Sequence, residues 1–131
     1  MNEFSYKLKV FYEDTDSGGV VYYANYLKFF ERARTEAIAE IGLSNKKLLE
    51  ENGIFIIVKS CNIEYKKPAK LEDQIEIKSN IISISNTSFK MRQKAFRDNE
   101  LITDCEIHWV IVDKKGKPSK IPEILKKKLE N

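Results

Sequence analysis

Ala24-Asn25-Tyr26-Leu27-Lys28-Phe29-Phe30-Glu31-Arg32-Ala33-Arg34-Thr35-Glu36-Ala37-Ile38-Ala39-Glu40-Ile41-Gly42 is the stretch on which the fold turns. Tyr26, Phe30, Ala33, Ala37 and Ile41 recur at spacings of three and four, and Leu27 and Ile38 widen the stripe. Lys28, Glu31, Arg32, Thr35, Glu36 and Glu40 fall largely outside it. This period predicts an amphipathic helix of about five turns. Asn25 is the candidate N-cap, and Gly42 stands where a left-handed residue ends a helix. Glu31 and Arg34, spaced i,i+3, read as a helix-surface ion pair.

Outward from this helix the period falls to two. Phe4, Tyr6, Leu8, Val10 and Tyr12 alternate with polar residues, which predicts a half-buried strand. Beyond Gly42, Ser44-Asn45 caps a short second helix over 46–52, closed by Gly53. Next comes a strand with Ile57, Lys59, Cys61, Ile63 and Tyr65 on one face and Ile56 and Val58 on the other, broken at Lys66-Lys67-Pro68. Ile75 and Ile77 are out of phase with Ile82 and Ile84, which predicts a bulge near 79–81. Asn86-Thr87 and Asp98-Asn99 mark turns flanking a strand with Phe89, Met91 and Ala95 on one face. A last strand carries Leu101, Thr103, Cys105, Ile107, Trp109 and Ile111, and Pro122 opens a short basic helix. The order is strand, long helix, short helix, then four strands in an antiparallel meander. One long helix beside such strands must lie on one face of a curved sheet, an α+β architecture.

The chain has 131 residues, enough for one domain spanning 1–131 that needs no disulfide or metal to hold it together. Its longest apolar runs, 20–24 and 54–58, are far too short to span a bilayer. The N-terminus lacks the pattern of a secretory signal, so a cytoplasmic location is expected. Residues 114–131 carry seven Lys and two Glu, against a net charge of only +3 for the whole chain. That concentration reads as a solvated basic tail rather than a nucleic-acid groove. With two Cys, no CxxC pair and one His, no zinc site is expected, and Cys61 and Cys105 read as buried thiols. His108 lies mid-strand, opposite the Cys105/Trp109 face, and is expected to be structural or surface-exposed.

The loop Glu13-Asp14-Thr15-Asp16-Ser17-Gly18-Gly19 sets three acids against the start of the long helix. That start supplies unpaired N–H groups and the positive end of a dipole. A carboxylate facing it can attack, or activate water at, a carbonyl whose oxyanion the N–H groups hold. A thioester is the more reactive target for so weak a nucleophile, so the pattern suits acyl transfer from sulfur. A plain solvated loop is the alternative reading of the acids.

The run from Asp14 through Tyr26, continued by Phe30-Glu31-Arg32-Ala33-Arg34-Thr35, resembles the signature of the hot-dog acyl-CoA thioesterases. It is most similar to the 4-hydroxybenzoyl-CoA thioesterase group, and within it to the short-chain acyl-CoA branch associated with the Tol–Pal cluster. The likeness covers roughly residues 4–125. It implies a sheet of about five strands wrapped round one long helix, and hydrolysis of a short-chain or aromatic acyl-CoA to free acid and CoA, with no metal or other cofactor. It makes Asp16 the catalytic carboxylate, as nucleophile or general base, and the Tyr23 backbone N–H the oxyanion donor. Tyr23 stands where the Tol–Pal branch often has His. Tyr26, Ile56, Val58, Lys90 and Arg92 are candidate substrate contacts. Acyl-CoA is the expected partner, with acyl carrier protein as an alternative carrier. A homodimer or homotetramer with active sites between subunits is implied. A dehydratase on the same fold would need a His–acid pair in the site. A non-catalytic acyl-CoA or carrier-protein binding module would not need Asp16.

Overall fold

The computed structural model describes residues 3–130. The sheet has five antiparallel strands: β1 (Glu3–Lys9), β2 (Ile54–Tyr65), β3 (Gln74–Ile84), β4 (Ser88–Arg97) and β5 (Glu100–Asp113). Three helices accompany them: α1 (Tyr23–Glu40), α2 (Asn45–Asn52) and α3 (Glu123–Glu130). The sheet wraps around α1, the expected α+β hot-dog arrangement. Strand order is β1-β3-β4-β5-β2. Only β3, β4 and β5 form a meander. β2 crosses to the far edge and pairs with β5, a correction that local sequence patterns cannot supply.

The stripe of α1 meets the sheet as its period requires. Tyr26, Phe29, Phe30, Ala33 and Ile38 join Ile75, Ile77, Phe89, Met91, Ile107, Trp109 and Ile111 in one buried cluster. Phe30 is fully buried; truncating such a side chain to Ala costs about 3–5 kcal/mol. Gly42 closes α1 at φ +87°, where a side chain would be strained. α2 is capped by Ser44, whose hydroxyl oxygen accepts the Lys47 N–H at 3.0 Å. Asp98 and Asn99 both take positive φ and join β4 to β5 in a two-residue hairpin.

Three expectations are corrected. The strand register slips between Val58 and Ser60, making Lys59 a bulge. Ile54, Ile56 and Val58 therefore share a face with Cys61, Ile63 and Tyr65, and only Phe55 and Ile57 turn their apolar side chains the other way. The bulge in β3 falls between Ile81 and Ser83, slightly past the expected place. The C-terminal segment is not merely solvated, because Ile121, Leu125 and Leu129 are buried in the main cluster while the lysines stay outside.

α1 packs over the β1–β3 side of the sheet. β2, at the opposite edge, is thus left with most of its residues exposed. An open groove runs between α1 and β2.

Candidate active site

The loop before α1 is a tight hairpin. Thr15 bridges Val21, and the Asp16 N–H donates to Val20 O at 2.9 Å. Gly19 turns the corner at φ +78°, donating its N–H to Asp16 O. Val20 bridges onward to Lys70, and the Val21 N–H donates to Ala69 O, so this apolar connector is stitched to the loop after β2.

The two aspartates of the loop have different fates. Asp14 is buried, and its carboxylate accepts the Phe11 N–H at 2.9 Å. Its carbonyl accepts from the Tyr22 N–H and from the Asn25 side chain, at 3.1 and 2.8 Å. Asp14 fastens the loop to the helix start. Asp16 lies in the exposed turn, and its Oδ1 accepts only the Gly18 N–H at 2.8 Å. A Cβ at Gly18 would come within 3.3 Å of that oxygen, so Gly18 leaves the carboxylate room.

Helix α1 begins at Tyr23, three residues before the start that an Asn25 cap would give, with Tyr22 at the cap position. Asn25 is not the N-cap, since its amide is drawn to Asp14 O. No side chain caps α1, and its first turn contains no acid. The Asn25 N–H returns to Tyr22 O, while the N–H groups of Tyr23 and Ala24 have no acceptor among the described residues. The helix therefore presents free donors at its positive end.

An aromatic cluster surrounds this start. The rings of Tyr23 and Tyr26 each lie 5.3 Å from that of Tyr65. Tyr65 donates its hydroxyl to Tyr23 O at 3.4 Å. Burial, then the nearby thiols of Cys61 and Cys105, push the Tyr65 phenol above its ordinary pKa. Sequence reasoning missed Tyr65, which reaches the helix start only because the Lys59 bulge puts it on the helix-facing side. Tyr26 is buried, and its hydroxyl accepts the Ala69 N–H at 3.1 Å, so it braces the loop.

Cavities follow the groove from this point. One of about 210 Å³ lies at the helix start, lined by Val21, Tyr23, Tyr26 and Tyr65. A second of about 500 Å³ runs between α1 and β2, lined by Leu27, Glu31, Arg34, Val58 and Cys61. A third of about 210 Å³ lies further along α1, against Ile56 and Trp109. Tyr23, Tyr26, Val58 and Ile56 thus fall in sequence along the groove. Lys90 and Arg92 do not join them. They alternate with the buried Phe89 and Met91 and point from the opposite face of the sheet, where Arg92 pairs with Asp104 at 3.3 Å. His108 lies on that outer face too, opposite Lys90 and Ser60.

Two further expectations are corrected. Cys61 is exposed, because it lies on the edge strand; only Cys105 is buried, and their sulfurs are 3.4 Å apart. Glu31 and Arg34 form no ion pair among the described residues. Glu31 accepts the Thr35 hydroxyl at 2.5 Å, and Arg34 turns inward onto Trp109.

Residues 10–129 match the family model of the thioesterase-like superfamily. The chain is 36% identical over 126 residues to the acyl-CoA thioesterase YbgC of Haemophilus influenzae, covering 95% of this chain and 93% of the relative. It is 40% identical over 122 residues to the acyl-CoA thioester hydrolase YbgC of Escherichia coli, covering 92% and 90%. Among solved structures, a probable thioesterase from Bartonella henselae superposes with a TM-score of 0.89 at 29% identity, over 92% of this chain and 100% of the other.

Proposed function

Because the chain belongs to the thioesterase-like superfamily and is a thioester hydrolase, we propose that it hydrolyses an acyl-CoA to the free acid and CoA, with Asp16 and the start of α1 as its machinery. The observation that carries this reading is the division between the two aspartates. Asp14 is consumed in tying down the loop, whereas Asp16 is exposed and its carboxylate accepts a single hydrogen bond, from the Gly18 N–H within its own turn. Asp16 attacks the thioester carbonyl, or takes a proton from the water that does. The carbonyl oxygen becomes an oxyanion, met by the free N–H of Tyr23. Collapse of the tetrahedral intermediate expels CoA as its thiolate; this gives the free acid directly when water attacks, and when Asp16 attacks it leaves an acyl-Asp16 anhydride that water then hydrolyses to the acid and the free carboxylate. The donors are fixed before the charge develops, which is where such stabilisation acts.

The site lies between two copies of the chain. Asp16 bonds across the hairpin to Val20, and Tyr23 begins three residues further on, a span of about 10 Å at strand rise. One carbonyl cannot readily be served by both groups of a single chain at that spacing, so Asp16 acts with the Tyr23 N–H of a second copy. The edge of β2 supports this. It is twelve residues long, with Phe55, Ile57 and Val58 exposed, and such edges are ordinarily covered. A homodimer joined along β2, or a pair of such dimers, closes the groove over the acyl chain. No helix among the described residues is long and apolar enough to cross a membrane, and we place the enzyme in the cytoplasm.

Hydrolysis measured across acyl-CoAs of increasing length and with aromatic acyl groups tests the activity; no turnover of any of them contradicts it. Light scattering should give two or four times 15.3 kDa. Mixing Asp16→Asn subunits with subunits blocked at the helix start should restore activity in some heterodimers. Absence of rescue after proven subunit exchange places both groups in one chain.

A further inference from the structure

The cavity furthest along α1 is lined by a buried cation that lacks a carboxylate partner. Arg34 is only 9% exposed, and its guanidinium stacks on the Trp109 ring at 3.9 Å. Nη1 donates to Gln93 Oε1 at 2.9 Å. Gln93 is itself fixed, its amide donating to Phe30 O and to Ser79 Oγ, both at 3.0 Å, so its oxygen is held toward Arg34. Arg34 takes part in none of the ion pairs among the described residues. Its Nε is buried with no acceptor, and so is Nε1 of Trp109. Burial lowers the Arg34 pKa to about 10, with Glu31 opposing that shift, so the side chain remains a cation at neutral pH.

One donor of this guanidinium remains for the cavity. With Nη1 committed to Gln93 and Nε shut off from any entering atom, that donor is Nη2. It donates to a carboxylate oxygen in a charge-assisted hydrogen bond. A buried cation without a counter-ion is costly, and an anion entering the cavity relieves that cost. The remaining walls come from Ile38, Ile56, Phe89 and Met91, which suit a hydrocarbon chain. Glu31, at the same cavity, disfavours an anion there but does not neutralise Arg34.

We propose that the cavity between α1 and the β4–β5 floor is a carboxylate subsite built on Arg34, which selects acyl groups carrying a second carboxylate at their far end. The site thereby deepens the thioesterase reading and, as a statement about substrate, rests on it. Arg34 lies eleven residues along α1 from Tyr23, about 16 Å at helical rise. That span matches a medium-length ω-carboxyacyl chain rather than an acetyl or butyryl group. Arg34 is a specificity-determining residue, remote from the reacting carbonyl.

Trp109 is the only tryptophan, so emission excited selectively from tryptophan, away from the six tyrosines, reports this cavity. In the intact protein, octanoate should change Trp109 emission saturably and octanol should not. Arg34→Lys keeps the charge but loses the planar group stacked on Trp109, and should weaken octanoate binding about tenfold or more. Glu31→Gln lies at the cavity rim, should fold normally, and should tighten it. No response to octanoate, an equal response to octanol, or indifference to Glu31→Gln overturns the subsite. None of these readings depends on thioester hydrolysis. With substrates, kcat/KM for suberyl-CoA should exceed that for octanoyl-CoA, and the ratio should fall at least about tenfold in Arg34→Lys. Equal ratios in the two proteins overturn the selectivity. Failure to hydrolyse either substrate counts against the thioesterase reading, while the fluorescence result still decides the pocket.

Discussion

Helices α1 and α2 begin in opposite ways. α2 has eight residues and opens with a Ser44 cap. α1 has eighteen and opens at Tyr22 with no cap and no acid in its first turn. A cap contributes about 1 kcal/mol, so the longer helix forgoes a stabilisation that the shorter one takes. α1 can do without it, because its buried face supplies far more through Phe30 and its neighbours. α2 buries only Leu48 and has little else to hold its start. On the proposed mechanism, the contrast separates a helix start kept for chemistry from a structural one: donors left unsatisfied on a helix whose packing makes them dispensable for stability.

Capping α1 breaks the contrast most severely. Tyr22→Asp places a carboxylate against the free N–H groups, where it repels the developing oxyanion. Loss of an oxyanion donor costs about 10²–10³ in kcat, and a fall of that size is expected here. The same change should raise thermal stability by a few degrees, about 1 kcal/mol. Full activity in this variant would show that the helix start takes no part in the reaction. A smaller effect is expected at the next residue. Tyr23→Phe leaves the backbone donor in place and should remain within about tenfold of wild-type kcat. A loss as deep as that of Tyr22→Asp would bring the phenol itself into the chemistry. At the other helix, Ser44→Ala should lower stability by about 1 kcal/mol in urea unfolding and leave kcat within about twofold.

The sequence made these helices legible in unequal measure. The α1 stripe is local and survives folding, so its length, its end at Gly42 and its role as the centre of the fold are all readable in advance. The Ser44 cap and the Asp98-Asn99 turn are readable for the same reason. The start of α1 is less so. Asn25 has the composition of a cap, but the Asp14 carbonyl, eleven residues away, claims its amide. The Lys59 bulge left no mark in the alternation, because Ile56, Ile57 and Val58 are apolar on both phases. Missing it put Cys61 and Tyr65 on the wrong side relative to Ile56 and Val58, and hid Tyr65 from the site. Strand order depends on contacts distant in sequence, and so does Arg34. Its spacing from Glu31 fits a surface pair, yet Trp109, seventy-five residues on, draws it inward. The family signature singles out Asp16, which composition alone does not separate from Asp14; in the structure the two differ in their hydrogen bonds.

The account rests most directly on Asp16, and steady-state kinetics of Asp16→Asn with an acyl-CoA substrate test it. The substitution preserves shape and removes the charge, so circular dichroism should be unchanged. The account predicts a fall in kcat of at least about 10² with little change in KM, the pattern of a group that acts mainly in the transition state. Retention of more than about half of the wild-type kcat would contradict it, since a nucleophile or general base cannot be dispensed with so lightly.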